Sequence, residues 1–199
     1  MSLNTCERQV AETLDGIRAD HVERYRFASR VASFSEVVLD APCGVGYGTA
    51  ILAAGGPRRV IGIDNCAEAI AFANAHYSRP NIQYITAEIP ELEITPAVDV
   101  AVCLEGIEHI TDGGAVVRWL HQSLRRNGWL IASVPNEEIW PHTGANPYHH
   151  QHYTPAQFET LLQNAGFDIC ERFMQVSLWD YAIQPGWDGR TLIAVCRKV

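Results

Sequence analysis

The sequence lacks several features that mark whole classes of proteins. No stretch approaches the roughly 20 consecutive apolar residues that span a membrane, and the first 30 residues are too polar and charged for a secretory signal. Only 15 residues are Lys or Arg against 23 Asp or Glu, and the cations form no basic run. The net charge of −8 therefore argues against nucleic-acid binding, which needs clustered cations. No membrane partner is expected either.

Paired cysteine motifs are also absent. The six cysteines stand at positions 6, 43, 66, 103, 170 and 196, with no C-x-x-C pair. Because several of them lie in apolar runs, we expect reduced, buried thiols rather than a disulfide framework. This cysteine usage predicts a cytoplasmic protein.

The length of 199 residues and the 47% hydrophobic content predict one globular domain, 1–199, with an N-terminal helical cap (1–33) and a core (34–199). Apolar periodicity and glycine or proline stops divide the chain into segments. The predicted helices are 4–33, 47–54, 67–77, 113–124 and 154–166. The predicted strands are 37–41, 60–63, 81–85, 98–104, 128–134, 167–173 and 191–197.

Strands that alternate with helices predict an open α/β fold with a mostly parallel sheet between helical layers. The last two predicted strands are joined without an obvious helix, which favours an antiparallel C-terminal hairpin. We therefore expect a three-layer α/β sandwich with a seven-stranded sheet. Ligands of such sheets bind at the carboxyl ends of the strands. The irregular segment 135–153 is longer than most connections, which favours a functional loop.

The first predicted strand leads into a glycine-rich segment. Residues 40–48 read D-A-P-C-G-V-G-Y-G, an acidic residue followed by three glycines at alternate positions. Such glycines let the backbone turn tightly beside a ligand, and the helix that follows points free N–H groups at that ligand. The dinucleotide pattern G-x-G-x-x-G is absent, because position 49 is Thr. A dehydrogenase is therefore a distant third interpretation.

This segment, with the ends of the next strands, resembles the class I (Rossmann-like) S-adenosylmethionine (SAM)-dependent methyltransferases over roughly residues 20–170. The family's first motif is D-x-G-C-G-x-G-x-G, and Pro42 here replaces its first glycine. The resemblance implies that Asp64 binds the ribose hydroxyls, that Glu88 and Ile89 flank the adenine, and that Leu104 lines the methionine part. The cofactor-binding residues implied by the resemblance are Arg24, Tyr25, Asp40, Ala41, Gly44, Gly46, Asp64, Asn65, Ala87, Glu88, Ile89, Leu104 and Glu105.

Acidic and histidine side chains cluster after the fourth strand. In E-G-I-E-H (105–109), a helical turn would place Glu105, Glu108 and His109 on one face. Histidines also occur in the later segment 149–152 (H-H-Q-H), which we expect to overhang the same cleft. Two interpretations stay open besides purely structural histidines. One is a divalent metal held by Glu105, Glu108, His109 and His152; the other is a metal-free site with His109, His149 or His152 as base.

The same cluster resembles the E-x-x-E-H of small-RNA 2′-O-methyltransferases and of ubiquinone-pathway O-methyltransferases. The segment 146–158 (N-P-Y-H-H-Q-H-Y-T-P-A-Q-F) resembles methyltransferases of surface-polysaccharide and sugar pathways. Loop aromatics would wall the acceptor site. These candidates are Trp140, Tyr148 and Tyr153, with Trp179, Tyr181 and Trp187 in a second possible lid.

The preferred hypothesis is a SAM-dependent methyltransferase that O-methylates a small metabolite or a sugar or polysaccharide intermediate. The alternatives are a metal-dependent RNA 2′-O-methyltransferase-like enzyme and a non-catalytic SAM-binding regulatory protein. The expected partner is a small-molecule or saccharide acceptor. The sequence predicts neither its identity nor an oligomeric state.

Overall fold

A computed structural model describes residues 8–95 and 97–199 of the chain. The helices are α1 (Ala19–Ala32), α2 (Tyr47–Ala54), α3 (Ala67–His76), α4 (Gly113–Ser123) and α5 (Pro155–Asn164). The strands are β1 (Val37–Asp40), β2 (Arg59–Asp64), β3 (Ile82–Thr86), β4 (Val98–Leu104), β5 (Leu124–Pro135), β6 (Phe167–Gln175), β7 (Gln184–Pro185) and β8 (Thr191–Lys198).

The strands form one sheet in the order β3-β2-β1-β4-β5-β8-β6-β7. Strands β1 to β5 pair in parallel, whereas β8 runs antiparallel to both β5 and β6. The mostly parallel sheet with an antiparallel C-terminal hairpin is thus confirmed. The expected strand count of seven is wrong, because Gln184 and Pro185 pair with the end of β6 as a two-residue edge strand. A strand this short carries no alternation that a sequence pattern could reveal.

Helices cover both faces of the sheet, which makes the three layers. Side chains of α1, α2 and α3 pack on one face, over Val38, Val100 and Ile131. Side chains of α4 and α5 pack on the other, over Leu39 and Ala101. Every residue of β4 is buried, as expected for a central strand covered on both sides.

The N-terminal segment departs from its predicted helix. Residues 4–7 of that prediction lie outside the described residues, and residues 8–18 contain only a 3-10 turn, Leu14–Gly16. The backbone of Thr13 and of Ile17 is extended on either side of this turn. Turn-forming Asp15 and Gly16 interrupt the apolar spacing that suggested a helix. The helical prediction was wrong for residues 8–18 and holds from α1 onward.

The parallel strands bring their carboxyl ends to one edge of the sheet. Asp40 pairs in register with Gly62 and Val102, and Leu104 pairs with Ser133. The segments that follow β1 to β5 therefore meet at this edge. At the next helix, Thr154 caps α5 in a capping box with Gln157, as the T-P-A-Q pattern predicts.

Two further facts concern the whole described chain. No helix within residues 8–95 and 97–199 is both long and apolar enough to cross a membrane. The five cysteines of that range are free thiols, four of them buried, and Cys6 lies outside it.

Candidate active site

One cavity of about 550 Å³ opens at the carboxyl edge of the sheet. Its wall has two parts. We name the first the glycine-loop half, which comprises Tyr25, Gly44, Asp64, Asn65, Glu88, Ile89, Leu104 and Glu105. We name the second the histidine half, which comprises Glu108, His109, Trp140, Tyr148, His149 and Arg190.

Asp64 is the anchor of the glycine-loop half. Its carboxylate accepts the backbone N–H groups of Gly44 and Cys66, both at 2.9 Å, and is 2% exposed. The Arg8 guanidinium donates to it at 2.7 Å. The carboxylate thus lies at the cavity wall in a fixed orientation, and it already accepts a hydrogen bond from Arg8, which does not follow a strand. A pair of hydroxyl donors would suit the same acceptor.

The glycine loop turns at Gly46, which is the N-cap of α2 with φ +89°. A Cβ there would lie 2.6 Å from the Ala73 Cβ and 2.7 Å from the Tyr84 hydroxyl oxygen. Only glycine fits both the conformation and the space. The Tyr84 hydroxyl donates to the Gly46 carbonyl at 3.0 Å, which ties the loop to β3.

The end of β3 adds a polar patch beside Asp64. The Asn65 side-chain amide donates to the Glu88 carboxylate at 3.3 Å, and Ile89 lines the cavity next to them. The backbone of Ala87 is held to the Asp64 carbonyl at 3.1 Å. Of these residues, Asn65, Glu88 and Ile89 line the cavity and Ala87 does not.

Asp40 lies beneath the glycine loop and does not line the cavity. Its fully buried carboxyl group accepts from the Tyr25 hydroxyl at 3.1 Å and from the Thr49 hydroxyl at 2.6 Å. Burial raises the pKa of Asp40 to about 7, against the lowering effect of the two hydrogen bonds. Asp40 therefore joins α1, β1 and α2 and positions the loop.

Three more residues of the expected cofactor set also lie off the wall. Ala41, Gly46 and Arg24 do not line the cavity. Arg24 is 2% exposed, and its guanidinium contacts Asp20 at 3.5 Å and Gln175 at 2.5 Å. These buried partners hold the Arg24 guanidinium off the cavity wall, and its expected contact with the cofactor carboxylate stays a prediction. The tight helix–sheet packing that draws it inward has no local sequence pattern.

A chain reversal after β4 connects the two halves of the wall. Glu105 has φ +50°, and a 3-10 turn follows at Ile107–His109. The Ser133 hydroxyl accepts the Glu105 N–H at 3.0 Å and donates to the Glu105 carboxylate at 2.8 Å. Because the turn starts after Glu105, this residue does not share a helical face with Glu108 and His109.

His109 is oriented by the long loop. Its Nδ1 lies 2.9 Å from the Tyr148 carbonyl oxygen. A carbonyl can only accept, so Nδ1 carries the proton and the lone pair of the neutral ring is on Nε2. The loop is held again where the His150 N–H donates to the Glu108 carbonyl at 2.8 Å.

A chain of hydrogen bonds orients His149. The Trp140 carbonyl lies 2.5 Å from His152 Nδ1, and His152 Nε2 lies 2.7 Å from His149 Nδ1. The carbonyl acceptor places a proton on His152 Nδ1, so His152 Nε2 accepts from His149 Nδ1, and a neutral His149 ring would have its lone pair on Nε2. Burial lowers the pKa of His152, which agrees with a neutral ring.

The structure brings together a different group of candidate metal ligands from the one that the sequence predicts. Ligand atoms of Glu108, His109 and His149 all lie within 4.8 Å of one another. Glu105 is bound to Ser133 on the other half, and both ring nitrogens of His152 are engaged by Trp140 and His149. The structure therefore replaces Glu105 and His152 with His149 in the group that can hold an ion.

Among the aromatic candidates, Trp140 and Tyr148 line the cavity. Tyr153 is buried beside Phe158 in the core, and Trp179 is 90% exposed outside the cavity. Tyr181 and Trp187 also lie off the wall, whereas Leu178 of the same segment lines it.

Three arginines line the wall without any sequence pattern that predicts them there: Arg8, Arg18 and Arg190. Arg18 forms a two-point ion pair with Asp20, at 3.0 and 2.7 Å. His21 also lines the wall, where burial and the charges of Arg24 and Arg18 lower its pKa to about 2. None of these residues follows a parallel strand, so the strand-end rule does not select them.

The family model, the relatives and the solved structure described below are all methyltransferases. A family model described as "Methyltransferase domain" matches residues 17–172. A probable SAM-dependent methyltransferase from Mycolicibacterium smegmatis is 35% identical over 164 residues, 80% of this chain and 62% of that protein. A ubiquinone biosynthesis O-methyltransferase from Pseudomonas putida is 32% identical over 111 residues, 54% of this chain and 47% of that protein. The chain thus spans about half to three-fifths of the length of these curated relatives.

The fold matches as well. The N-methyltransferase NodS from Bradyrhizobium japonicum, solved with S-adenosyl-L-homocysteine, superposes with a TM-score of 0.72 over 91% of this chain and 88% of that chain, at 18% identity. The strand order, the glycine loop and the family match over residues 17–172 agree. The chain belongs to the SAM-dependent methyltransferases of the Rossmann-like class.

Proposed function

We propose that the chain transfers a methyl group from SAM to a hydroxyl group of a small metabolite or sugar intermediate. The glycine-loop half fits the cofactor. Asp64 offers a fixed acceptor for the ribose hydroxyls, and Glu88 accepts from the adenine amine. Gly44 leaves room, since among the described residues a Cβ there would meet just the Arg8 side chain, at 3.9 Å. SAM supplies an electrophilic methyl group on a sulfonium, so the protein need only orient the acceptor and manage its proton.

The observation that carries the proposal is the orientation of two imidazoles. His109 and His149 line the same cavity as Asp64, and each, as a neutral ring, has its lone pair on Nε2. When the acceptor oxygen forms its bond to the methyl carbon and the carbon–sulfur bond breaks, the hydroxyl proton must leave. Neutral imidazole is a suitable base for it near neutral pH. We assign this role to His109 Nε2, with His149 beside it as acceptor anchor.

The test is methyl transfer from radiolabelled SAM to fractionated metabolite and sugar pools. We expect labelled product with the wild-type chain and a loss of about 10²-fold or more with His109→Gln, because general base catalysis typically contributes that much. The matched control is His76→Gln, on α3 and away from the cavity wall. Binding of S-adenosylhomocysteine without product from any pool would instead favour a non-catalytic binder, and product only with RNA would favour the RNA alternative.

As an alternative to the His109 base, we propose that the histidine half holds a divalent cation, to which His109 would contribute the same Nε2 lone pair. The support is the group of Glu108, His109 and His149, a carboxylate and two imidazoles that transition metals accept. The ion would sit beside the acceptor oxygen and lower the pKa of its hydroxyl.

Elemental analysis after dialysis against Mg²⁺, Mn²⁺, Fe²⁺ or Zn²⁺ tests the metal. One ion per chain is expected in the wild type and in Glu105→Gln, and none in Glu108→Gln. No bound ion in the wild type, together with full turnover in chelator, would contradict the metal and leave the metal-free base.

We also propose a cytoplasmic location, which the free thiols of residues 8–95 and 97–199 support. Cell fractionation with a compartment marker tests it.

A further inference from the structure

Arg190 has an unusual place in the histidine half. Its guanidinium carbon lies 3.7 Å from the centre of the Trp140 ring, and the residue lines the cavity. Its backbone is held on both sides, because its carbonyl accepts the Asn136 N–H at 2.9 Å and its N–H donates to the Val176 carbonyl at 3.3 Å. A guanidinium stacked on a ring keeps its in-plane donors for other partners. Arg190 is therefore a positioned donor group on the cavity wall.

Among residues 8–95 and 97–199, no ion pair neutralises the charge of Arg190. Within residues 8–95 and 97–199, Arg8 pairs with Asp64 and Arg18 pairs with Asp20, whereas no carboxylate oxygen lies within 4.0 Å of an Arg190 nitrogen. Burial and the like charge of Arg18 lower the pKa of Arg190, and the more distant Glu105 and Asp20 oppose that shift.

Those two carboxylates are already engaged. Asp20 accepts both Arg18 donors, and Glu105 accepts from the Ser133 hydroxyl. A half-buried cation with a like charge nearby and no paired carboxylate is a place where an anion is stabilised.

The neighbours of Arg190 belong to the acceptor side of the cavity. The Trp140 ring that carries Arg190 packs against His149 at 5.8 Å and His152 at 4.8 Å between ring centres. Asp64 and Glu88, which suit the ribose and adenine, lie on the other half. An anion at Arg190 would thus sit beside the imidazoles.

We infer that the methyl acceptor is an acid, and that Arg190 binds its carboxylate or phosphate group while the reacting hydroxyl lies at His109 and His149. The inference rests on the proposed function and adds the substrate class. An anchor at one end and a base at the other would fix the acceptor at two points, as alignment for methyl transfer requires. The same anionic chemistry is present in the carboxylate of the cofactor, so the test must separate these two sources.

The experiment titrates the complex with S-adenosylhomocysteine by calorimetry, using matched acidic and neutral probes. The pairs are 4-hydroxybenzoate with 4-hydroxybenzamide, and glucuronate with glucose. We expect at least one acid to bind about tenfold more tightly than its neutral partner, because a charge-assisted hydrogen bond is stronger than a neutral one. Arg190→Gln should abolish this preference and Arg190→Lys should keep part of it.

The control is Arg197→Gln. Arg197 lies at the far end of β8, the strand that begins directly after Arg190, and also packs over a tryptophan ring, Trp129, at 5.3 Å. The Arg197→Gln variant should retain the preference for the acidic probe. Affinity for S-adenosylhomocysteine should be unchanged in all three variants, which also shows that they fold.

Three results would overturn the inference. One is the absence of any acidic preference in the wild type, whether both probes of each pair bind alike or neither binds. Another is an acidic preference that Arg190→Gln leaves intact. The third is an Arg190→Gln variant that loses S-adenosylhomocysteine, since Arg190 would then hold the carboxylate of the cofactor. Failure of the wild type to bind S-adenosylhomocysteine at all would refute the proposed function instead.

Discussion

The two halves of the cavity are built in different ways. In the glycine-loop half, Gly44, Asp64, Glu88 and Glu105 each stand at or just after the end of a parallel strand. In the histidine half, a loop of some 17 residues, 136–152, folds back onto the turn at Ile107–His109 through the Tyr148 and His150 backbone. The first half depends on local backbone geometry and the second on contacts between distant segments. Substitutions should therefore affect them separately.

The largest expected effect is the loss of stability caused by a substitution in the glycine-loop half. Gly46→Ala forces a side chain into φ +89° with a methyl 2.6 Å from the Ala73 Cβ. Strain and overlap together should destabilise the fold by about 3 kcal/mol or more, measured by urea unfolding. Gly144→Ala is the matched control in the loop 136–152, at φ +73° with no atom of the described residues within 4 Å of the added Cβ, and should cost only the strain. Equal losses in the two variants would show that the overlap at Gly46 relaxes away.

A smaller effect, on turnover alone, is expected from a substitution behind the histidine half. His152→Asn removes the group that orients His149 and should lower turnover about 10- to 100-fold, the usual effect of removing a group that orients a site ligand. Affinity for S-adenosylhomocysteine, measured by calorimetry, should not change, because the glycine-loop half is untouched. A loss as large as that of His109→Gln would make His152 itself the base.

The third prediction concerns pH and the buried Asp40. Its pKa is raised from 3.8 to about 7 in the folded chain, mainly by burial. Between these values the folded state holds a proton that the unfolded state has lost, so stability falls as pH rises and levels off above pH 7. We expect a loss of about 1–3 kcal/mol from pH 5 to pH 8 in urea unfolding.

Asp40→Asn is the control for this pH effect. A side-chain amide can accept from the Tyr25 hydroxyl and donate to the Thr49 hydroxyl oxygen, as a protonated carboxyl does. The variant should show a flatter pH profile. Parallel profiles for the two chains would contradict the raised pKa.

The smallest effect tests the boundary of the histidine half. Trp179 is 90% exposed and does not line the cavity. Trp179→Ser should change unfolding free energy by less than about 0.5 kcal/mol and leave the KM for acceptor unaltered. A raised KM would place Trp179 over the acceptor in the working enzyme.

The difference between the halves also explains what the sequence predicts. Apolar runs and the residues after them identify the parallel strands, and with them Asp64, Glu88 and Glu105, because strand ends share one edge. The resemblance to methyltransferases adds the meaning of the glycine loop. The edge strand Gln184–Pro185 could not be predicted, because two residues are too few to show an alternating pattern. The 3-10 turn before α1 was predicted as helix, because Val10, Leu14 and Ile17 have the apolar spacing of one.

The group of candidate metal ligands near the end of β4 could not be predicted from the spacing of residues in the sequence. A helical turn pairs Glu105 with Glu108, but the left-handed backbone at Glu105 sends it to Ser133 instead. His149 enters the group only because the long loop returns, and Arg190 only because β8 pairs with β5. These are long-range consequences of the fold that no local pattern carries.

The most direct test of the central claim is a calorimetric titration of the purified chain with S-adenosylhomocysteine, with NAD as the comparison ligand. The account predicts one-to-one binding of S-adenosylhomocysteine, no binding of NAD, and a loss of affinity of about tenfold or more in Asp64→Asn, where a charged acceptor is removed. The control is Asp168→Asn, an exposed residue of β6 that does not line the cavity. Binding of NAD, or S-adenosylhomocysteine affinity that survives Asp64→Asn unchanged, would contradict it.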